Sequence, residues 1–331
     1  MEENTVLDVK NLKKYFMVKM GFLKSLLSKE QLYVRAVDGV SFRIGEREIF
    51  GLVGESGCGK TTTGRSILRL IEPTSGQVNF KGSDLIKLDP TEMRNMRRRL
   101  QIIFQDPYES LNPRMSIYDI LAEPLQLQHI AEGPDEIIGL ETKVLGEMGL
   151  VPPEEFLYRF PHELSGGQRQ RVAVARAFIM TPEFVVADEP VSMLDASMRT
   201  EVVELILGMV QKLACAFLYI THDIALTRYI CNRVGVMYLG QIVELGLTED
   251  IVHHPHHPYT EALLAAVPVP DPTARRREIV IKGEVANPIN PPPGCRFHPR
   301  CPYAKGRCGK EEPKLSPSGK GRTVACHFPL E

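Results

Sequence analysis

The sequence contains no long hydrophobic run. No stretch of about eighteen consecutive apolar residues occurs, so no membrane-spanning helix is predicted. The first ten residues, MEENTVLDVK, are acidic and lack the apolar segment of a secretory signal. These absences argue against an integral membrane protein and a secreted one, and they favour a reducing compartment in which clustered thiols bind metal more often than they form disulfides.

The sequence also has almost no net charge. It carries 40 Lys and Arg residues against 41 Asp and Glu residues, which leaves a formal charge of −1. Nucleic-acid binding usually needs an excess of positive charge on one face. The two arginine-rich stretches, at 93–100 and 275–277, are interpreted as solvated surface. No nucleic-acid partner is therefore expected.

Short apolar runs alternate with helical patterns along most of the chain. This alternation predicts an α/β fold with a mostly parallel sheet. The candidate strands are the apolar runs at 47–54, 99–105, 183–188, 215–222 and 234–240. A helix is predicted over 197–213 because four apolar residues recur there at helical spacing: Val202, Ile206, Met209 and Leu213. A second helix start is predicted at 89–92, where DPTE can form a capping box.

The composition changes after about residue 267. The stretches VPVPDPTARRR and NPINPPPG are rich in proline, which breaks both helices and strands. We therefore predict one large domain over 1–267 and a loop-rich C-terminal extension over 268–331. An amphipathic insertion is predicted at 17–35, and contact with a membrane surface is the alternative interpretation of that segment.

A phosphate-binding loop is predicted at 54–62. The sequence GESGCGKTT fits G-x-x-x-x-G-K-[ST] and lies between an apolar strand and a helical pattern, which is the context of a P-loop. Glycines let successive backbone N–H groups turn toward phosphate, and the helix start adds a positive dipole end. Lys60 would reach the β- and γ-phosphates, Thr61 would bind Mg²⁺ and Thr62 would help to hold the α-phosphate. The predicted nucleotide-binding residues of this loop are Gly54, Glu55, Ser56, Gly57, Cys58, Gly59, Lys60, Thr61 and Thr62.

Two adjacent acids end a buried strand in FVVADEP at 184–190. Asp188 fits a carboxylate of the Mg²⁺ shell that acts through water. Glu189 lies one residue beyond the strand end, where it is expected to polarise a water in line with the γ-phosphate.

A second anion-binding helix start is predicted in LSGGQRQRVAVARAF at 164–178. Its bare N–H groups and serine hydroxyl suit a phosphate. Two phosphate-facing helix starts in one chain do not easily serve the same nucleotide from one domain. A head-to-tail pair of domains is therefore expected, with the P-loop of one subunit and this segment of its partner on one ATP. The residues concerned are Leu164, Ser165, Gly166, Gly167 and Gln168.

With these motifs in order, the sequence resembles the ATP-binding cassette (ABC) ATPases over roughly residues 5–255. The resemblance implies an α/β P-loop fold with a RecA-like core, an antiparallel β subdomain and a helical subdomain at about 106–180. It implies that Gln105 contacts Mg²⁺ and that His222 holds the γ-phosphate and the attacking water. It places Ser192 and Asp195 in the D-loop, which crosses the dimer seam; family members more often have alanine where Met193 stands.

The resemblance also implies an aromatic side chain that stacks on adenine. Phe16 is the best match to that position, and Tyr15 is the alternative. Other functional classes fit the sequence less well. A P-loop enzyme that modifies a small molecule would not need LSGGQ. A soluble ABC ATPase acting on ribosomes or DNA would favour two cassettes, a coiled-coil insertion or a basic face.

The C-terminal part of the sequence narrows the resemblance to one group of ABC ATPases. The stretch 253–272, followed by proline-rich sequence and four spaced cysteines, is similar to the F-type ATPase subunit of dipeptide/oligopeptide ABC importers. This implies an ATPase at the cytoplasmic face of the membrane that powers peptide import. It also implies a paralogous ATPase partner, two membrane permease subunits and an extracytoplasmic solute-binding protein. Relatives with this tail also import nickel or oligosaccharides, which are the alternatives to peptide.

Four cysteines lie close together near the C-terminus. Cys295, Cys301, Cys308 and Cys326 have the spacing C-x5-C-x6-C-x17-C. Four thiolates can complete a zinc site or an iron–sulfur cluster. Zinc sites prefer close pairs such as C-x2-C, which are absent, and the family resemblance implies a [4Fe–4S] cluster. Zinc, and unliganded thiols or disulfides, are the alternatives. A metal could hold a proline-rich segment that builds little core of its own.

Overall fold

The structure is a computed structural model that describes residues 5–18, 31–267, 281, 288–319 and 321–331. Most of the predicted insertion at 17–35 and most of the proline-rich stretch after 267 lie outside these residues. The chain divides into two compact units. The first contains Met1–Val6, Ile44–Glu48 and Lys87–Tyr219, and the second contains Leu7–Arg43, Ile49–Ile86 and Ile220–Glu331.

The strands match the apolar runs of the sequence. Numbered β1 to β12, those of the described ranges are Thr5–Met17, Tyr33–Gly45, Ile49–Val53, Ser75–Phe80, Ser83–Asp84, Leu100–Ile103, Phe184–Asp188, Ala216–Thr221, Arg233–Tyr238, Gln241–Leu247, Ser316–Pro317 and Thr323–Val324. All five candidate strands are confirmed, as β3, β6, β7, β8 and β9.

One helix is expected to begin at a capping box, and the structure contains it. Numbered α1 to α11, those of the described ranges are Lys60–Ile67, Pro90–Met96, Pro107–Ser110, Ile117–Leu127, Pro134–Glu147, Glu154–Leu157, Gly166–Phe178, Ala196–Leu213, Ile224–Ile230, Thr248–His253 and Pro258–Ala265. The predicted capping box at α2 is confirmed, since Asp89 accepts from the amides of Thr91 and Glu92. Within the described ranges, no helix is both long and apolar enough to cross a bilayer.

The first unit carries three neighbouring strands and a helical stretch. β6 and β7 pair in parallel, from Leu100 opposite Phe184 to Ile103 opposite Ala187, and β8 lies on the other side of β7. Every residue of β7 is buried, as expected for a parallel strand covered on both faces. The stretch 106–180 contains α3 to α7 and one 3-10 turn, and no strand.

The second unit carries an antiparallel sheet of four strands in the order β2-β1-β4-β5. A second set of strands has the order β3-β9-β10-β12-β11. In that set β3 and β9 are parallel, and β9, β10 and β12 pair in antiparallel fashion. β12 comes from the C-terminal extension and pairs with Glu244 and Leu245 of β10. The extension is thus tied to the unit by strand hydrogen bonds.

An aromatic cluster also ties the extension to the core of the second unit. Phe297 is 1% exposed and packs with Tyr238 and Tyr259 among buried aliphatic residues. The ring centroid of Phe297 lies 5.4 Å from that of Tyr238 and 5.3 Å from that of Tyr259. Burial of one such side chain stabilises the fold by about 2 to 3 kcal/mol. The core therefore includes a side chain from beyond the proline-rich stretch.

Candidate nucleotide-binding site

The P-loop joins β3 to α1, as the sequence predicts. Gly57 and Gly59 adopt φ angles of 78° and 106°, in the left-handed region that disfavours other residues. A Cβ atom at Gly59 would lie 2.0 Å from the carbonyl oxygen of Ala36. The loop therefore needs glycine at position 59 for space as well as for conformation.

Lys60 begins α1 and its side chain is buried. Its Nζ donates to the carbonyl oxygens of Gly54, at 2.8 Å, and Glu55, at 3.1 Å. Thr61 and Thr62 are partly exposed in the first helical turn, whereas the thiol of Cys58 is buried. A buried ammonium that spans its own loop can move to a phosphate by exchanging carbonyl acceptors for phosphate oxygens.

Glu55 has two contacts outside the loop. Its amide donates to the hydroxyl of Tyr259 at 2.9 Å. Its carboxylate accepts two hydrogen bonds from Arg300, at 2.9 and 3.1 Å. Sequence reasoning missed both partners, because they lie more than two hundred residues along the chain and follow no local pattern.

The second unit also contains both aromatic candidates for adenine stacking. The Phe16 side chain is exposed, and Lys14 Nζ lies 4.9 Å from its ring centroid. Tyr15 instead donates its hydroxyl to Asp38. Burial, together with the neighbouring Asp38 carboxylate, raises the pKa of Tyr15 to about 12. Phe16 is thus the more exposed of the two residues.

His222 follows the end of β8 directly and is exposed. The next residue, Asp223, caps α9 by accepting from the amides of Ala225 and Leu226 at 3.0 and 3.1 Å. The cap fixes the chain direction just after His222.

The two adjacent acids lie in the first unit, at the end of β7. Asp188 is 1% exposed. Glu189 has a φ of 46°, and its carbonyl oxygen accepts from the amide and the hydroxyl of Ser192, at 3.2 and 3.1 Å. Gln105 Nε2 donates to Glu189 Oε2 at 3.4 Å. The structure therefore brings the predicted Gln105 and Glu189 together, and a left-handed backbone at a glutamate is a strain typical of functional sites.

The signature segment forms the start of α7 in the same unit. Ser165 caps the helix: its Oγ accepts from the Gln168 amide at 3.3 Å, and Gln168 Oε1 accepts from the Ser165 amide at 3.0 Å. A Cβ atom at Gly167 would lie 2.6 Å from Met198 Sδ. The predicted helix start is confirmed, and its capping box was not foreseen.

Two further residues shape the surroundings of the signature segment. Arg169 is buried and donates to the carbonyl oxygens of Pro161 and Leu164, at 2.8 and 3.0 Å. Asp195, from the predicted D-loop, caps α8 by accepting from the Met198 amide at 3.0 Å, and this hydrogen bond lowers the pKa of Asp195. Arg169 was missed because its role depends on a turn that only the folded chain forms.

The four C-terminal cysteines line one enclosed cavity. Its other lining residues are Phe297, Phe328, Pro258, Tyr303 and three histidines, His257, His298 and His327. All seven cysteines are among the described residues, and none forms a disulfide. Burial raises the pKa of Cys295 and Cys301 to about 11, and it raises the pKa of Cys326 as well. The clustering of the four thiols is thus a property of the fold.

One of the sulfur atoms has a backbone hydrogen-bond partner, since the amide of Phe328 donates to Cys326 Sγ at 3.4 Å. At Cys295, Cys301 and Cys326, nearby backbone amides partly offset the rise in pKa that burial causes. Among the described side chains, no three His, Cys, Asp or Glu residues have the spacing needed to hold a single metal ion.

Comparison with known proteins identifies the family. The model of a family described as ABC transporter matches residues 37–192, which hold the P-loop, the signature segment and the acid pair. A second model, described as the C-terminal region of oligopeptide/dipeptide transporters, matches residues 243–308. The chain belongs to the ATP-binding subunits of oligopeptide/dipeptide ABC transporters. It is an ABC transporter ATPase, and ATP with Mg²⁺ are the substrate and metal that this family implies.

Relatives of similar length support this assignment over almost the whole chain. The oligopeptide transport ATP-binding protein AppF of Bacillus subtilis is 42% identical over 329 residues, covering 98% of each protein. A protein of Brucella ovis, named provisionally as a peptide import ATP-binding protein, is 46% identical over 326 residues and again covers 98% of each.

Solved structures agree with the ABC ATPase fold. The ATP-binding cassette MJ0796, solved as a dimer bound to ADP and phosphate, is 28% identical with a TM-score of 0.63, over 73% of this chain and 98% of that one. The fold of cbiO1 from Clostridium perfringens, part of the cbiONQ transporter complex, is similar with a TM-score of 0.63 at 24% identity, over 76% of this chain and 92% of that one. The P-loop fold with an antiparallel β subdomain is confirmed.

Proposed function

We propose that this ABC ATPase powers the import of di- and oligopeptides through separate membrane permease subunits. The observation that carries this proposal is the match of residues 243–308 to the C-terminal region of oligopeptide/dipeptide transporters. The full-length likeness to AppF, named for oligopeptide transport, supports it. Import of nickel or oligosaccharides by the same machinery is the alternative. The proposed partners are a paralogous ATPase, two permeases and an extracytoplasmic solute-binding protein, with the chain at the cytoplasmic face of the membrane.

The nucleotide site has a division of roles in this proposal. Lys60 and the amides at the start of α1 would bind the phosphates, and Thr61 and Asp188 would hold Mg²⁺. When bound, Mg²⁺ neutralises charge on the phosphate oxygens. Glu189 accepts the proton of the attacking water, and His222 orients that water and the γ-phosphate.

Gln105 links the metal site to conformational change. Its amide group donates to Glu189 in the structure, so it can sense whether Glu189 is aligned for hydrolysis. The signature segment, with Ser165 at its cap, binds the γ-phosphate of the ATP held by the partner subunit. ATP binding closes the dimer and turns the permeases toward the binding protein, and hydrolysis reopens it.

The catalytic role is tested by changing Glu189→Gln. Loss of the base should lower steady-state hydrolysis by about 100-fold or more, while ATP stays bound and a closed dimer accumulates. Steady-state ATPase and size-exclusion chromatography with ATP measure both effects. Glu204→Gln, an exposed change on α8, is the matched control and should behave as wild type. Unchanged hydrolysis in Glu189→Gln would remove Glu189 from the catalytic role.

The C-terminal cysteines are proposed to hold a [4Fe–4S] cluster. Four sulfurs line one cavity, and the amide of Phe328 donates to Cys326 Sγ at 3.4 Å. Such donors stabilise sulfur-bound negative charge around a cluster. The raised thiol pKa values mean that binding must release protons, so cluster affinity should increase with pH. When bound, the cluster would crosslink Cys295, Cys301, Cys308 and Cys326 of a segment with little core.

Metal analysis of protein purified without oxygen tests this proposal. About four irons per chain with matching sulfide are expected, and Cys308→Ser should lose most of that iron. Cys215→Ser, at a buried cysteine outside the cavity, is the control that should retain it. Stoichiometric zinc without iron would support the zinc alternative, and absence of both metals would contradict a metal site.

The permease contact is proposed to lie within 105–125. Residues of this segment line one side of a groove together with Arg94, Gln126, Leu127 and His129. Tyr108 and Glu109 are exposed nearby, on α3. Asp106 caps α3 by accepting from the Tyr108 amide at 2.7 Å, so the cleaner charge reversal is Glu109→Lys. It should uncouple transport while basal ATPase persists; parallel loss of both activities would contradict the assignment.

A further inference from the structure

The C-terminal extension reaches the P-loop through one ion pair. Arg300 lies immediately before Cys301, and its two terminal nitrogens bind the two carboxylate oxygens of Glu55, at 2.9 and 3.1 Å. The side chains are 9% and 25% exposed, respectively. A bidentate pair with so little exposure is directional and weakly screened by salt, unlike most surface ion pairs.

The surroundings of Arg300 hold the guanidinium in place. Its Nη1 also lies 3.4 Å from the hydroxyl of Tyr238, and its central carbon is 5.8 Å and 5.9 Å from the ring centroids of Tyr238 and Phe297. Both rings belong to the core of the second unit. The position of Arg300 is therefore fixed by packing before it pairs with Glu55.

Glu55 passes this restraint to the phosphate-binding turn. Its amide is held by Tyr259, its carboxylate by Arg300, and its carbonyl oxygen by Lys60 Nζ. Tyr259 and Arg300 thus restrain the amide and the carboxylate of the residue that precedes the turn, whereas Lys60 can exchange its carbonyl acceptor for a phosphate oxygen. A loop held in one conformation loses less entropy when it binds a ligand.

A second arginine of the extension contacts the segment that lies against the same loop. Arg296, next to Cys295, donates to the carbonyl oxygen of Leu239 and to Asp38. Gly240, which follows Leu239 in the chain, donates its amide to the carbonyl oxygen of Cys58 at 2.8 Å. The extension therefore supports both the start and the middle of the P-loop.

We propose that Arg300 is a positioning residue for nucleotide binding, which acts through Glu55. It has two effects on the loop. It restrains the backbone at Glu55, and it neutralises a carboxylate that would otherwise repel the triphosphate. The inference rests on the proposed nucleotide site at the P-loop, and it gives the C-terminal extension a direct part in ATP affinity.

The test is a comparison of Arg300→Gln with Arg300→Lys in the full-length chain. Arg300→Gln should raise the Kd and the KM for ATP roughly tenfold, the effect of one charged hydrogen-bonding pair, while kcat at saturating ATP stays within about twofold. Arg300→Lys should recover part of the affinity, because it restores the charge and not the bidentate geometry. A fluorescent ATP analogue reports Kd, and steady-state ATPase reports KM and kcat.

The extension offers a matched control in Arg307→Gln. Arg307 immediately precedes Cys308, as Arg300 precedes Cys301, but it is exposed and pairs with Glu311 at 2.7 Å. Its removal should change neither affinity nor metal content. Iron and zinc per chain are measured for each variant, and Arg300→Gln is expected to equal wild type in both.

A double-mutant cycle separates this route from general damage. Because Arg300 acts through Glu55, Arg300→Gln should have little further effect on ATP affinity in a Glu55→Gln background. Equal Kd values for wild type and Arg300→Gln would overturn the inference and leave the nucleotide site intact. The inference would also be overturned if the losses of ATP affinity in Arg300→Gln and Glu55→Gln simply added in the double variant. If Lys60→Ala bound ATP as tightly as the wild type, this result would instead contradict the proposed nucleotide site.

Discussion

Two helix starts of this chain are proposed to bind phosphate, and they are stabilised in opposite ways. The start of α1 follows a loop that is held by Tyr259, by Arg300 and by the amide of Gly240, all distant in sequence. The start of α7 is held by its own capping box, between Ser165 and Gln168. One site depends on the tertiary structure of its unit, and the other is largely local.

This difference suggests that the two helix starts affect different properties. The start of α1 affects the ATP affinity of the single chain, and the start of α7 affects the assembled ATPase pair. A loop that must bind ATP in its own subunit gains from being held in its binding conformation before the ligand arrives. A helix start that engages the partner's nucleotide needs only exposed donors and a free surface. Changes around α1 are therefore expected to alter binding by the isolated chain, whereas changes at α7 should alter only the assembled ATPase.

The largest effect is expected at Gly59. In Gly59→Ala the new Cβ would meet a backbone oxygen at 2.0 Å, which no side-chain movement relieves, so ATP affinity should fall by about 100-fold or more. In Gly57→Ala no atom lies within 4 Å, and the cost is backbone strain of about 1 to 2 kcal/mol. Nucleotide titration and thermal unfolding measure the pair. Equal effects would show that conformation, and not the packed surroundings, dominates this loop.

An intermediate effect is expected at Ser165. Ser165→Ala should cost about 1 kcal/mol of stability as a lost cap. It should leave ATP binding by the isolated chain unchanged, yet lower hydrolysis by the ATPase pair by an order of magnitude or more. Ser116→Ala, which breaks a similar capping box at α4, is the control for stability alone. Weakened binding in the isolated chain would contradict the contrast between the two helix starts.

The smallest effect concerns buried charge. The ion pair of Arg300 and Glu55 neutralises its members, whereas Glu141 of α5 is fully buried and neither of its oxygens has a hydrogen-bond partner among the described residues. Burial, and secondarily Asp119, raises the pKa of Glu141 to about 8 from 4.5. The folded state therefore keeps a proton that the unfolded state loses, so stability should fall as pH rises between these values.

The variant Glu141→Gln should remove this decrease of folding stability with rising pH. It is expected to match wild type in stability near pH 5 and to exceed it by about 1 to 2 kcal/mol near pH 8, a shift of a few degrees in Tm. Thermal unfolding at several pH values measures this. An unchanged slope would mean that Glu141 is paired in solution.

Five of the twelve strands of the described residues, four helices and the identity of the motifs could be predicted from the sequence. Strands such as β7 are continuous apolar runs, and α8 shows a clear stripe of apolar residues, so local patterns suffice. The contacts of Glu55 and the role of Arg169 could not be predicted. Each depends on segments that only the folded chain brings together. The sequence around Arg300 also resembles that around Arg307, so local sequence does not tell the two arginines apart.

The sequence by itself determined the P-loop, the acid pair at the end of β7, the signature helix start and the family. These features depend on residue type and short-range spacing, which fix backbone conformation and hydrogen-bonding groups locally. The tertiary structure decided which side chains support them. Arg300 and Arg307 have the same chemistry and the same place beside a cysteine, yet only packing against Tyr238 and Phe297 turns one of them toward Glu55.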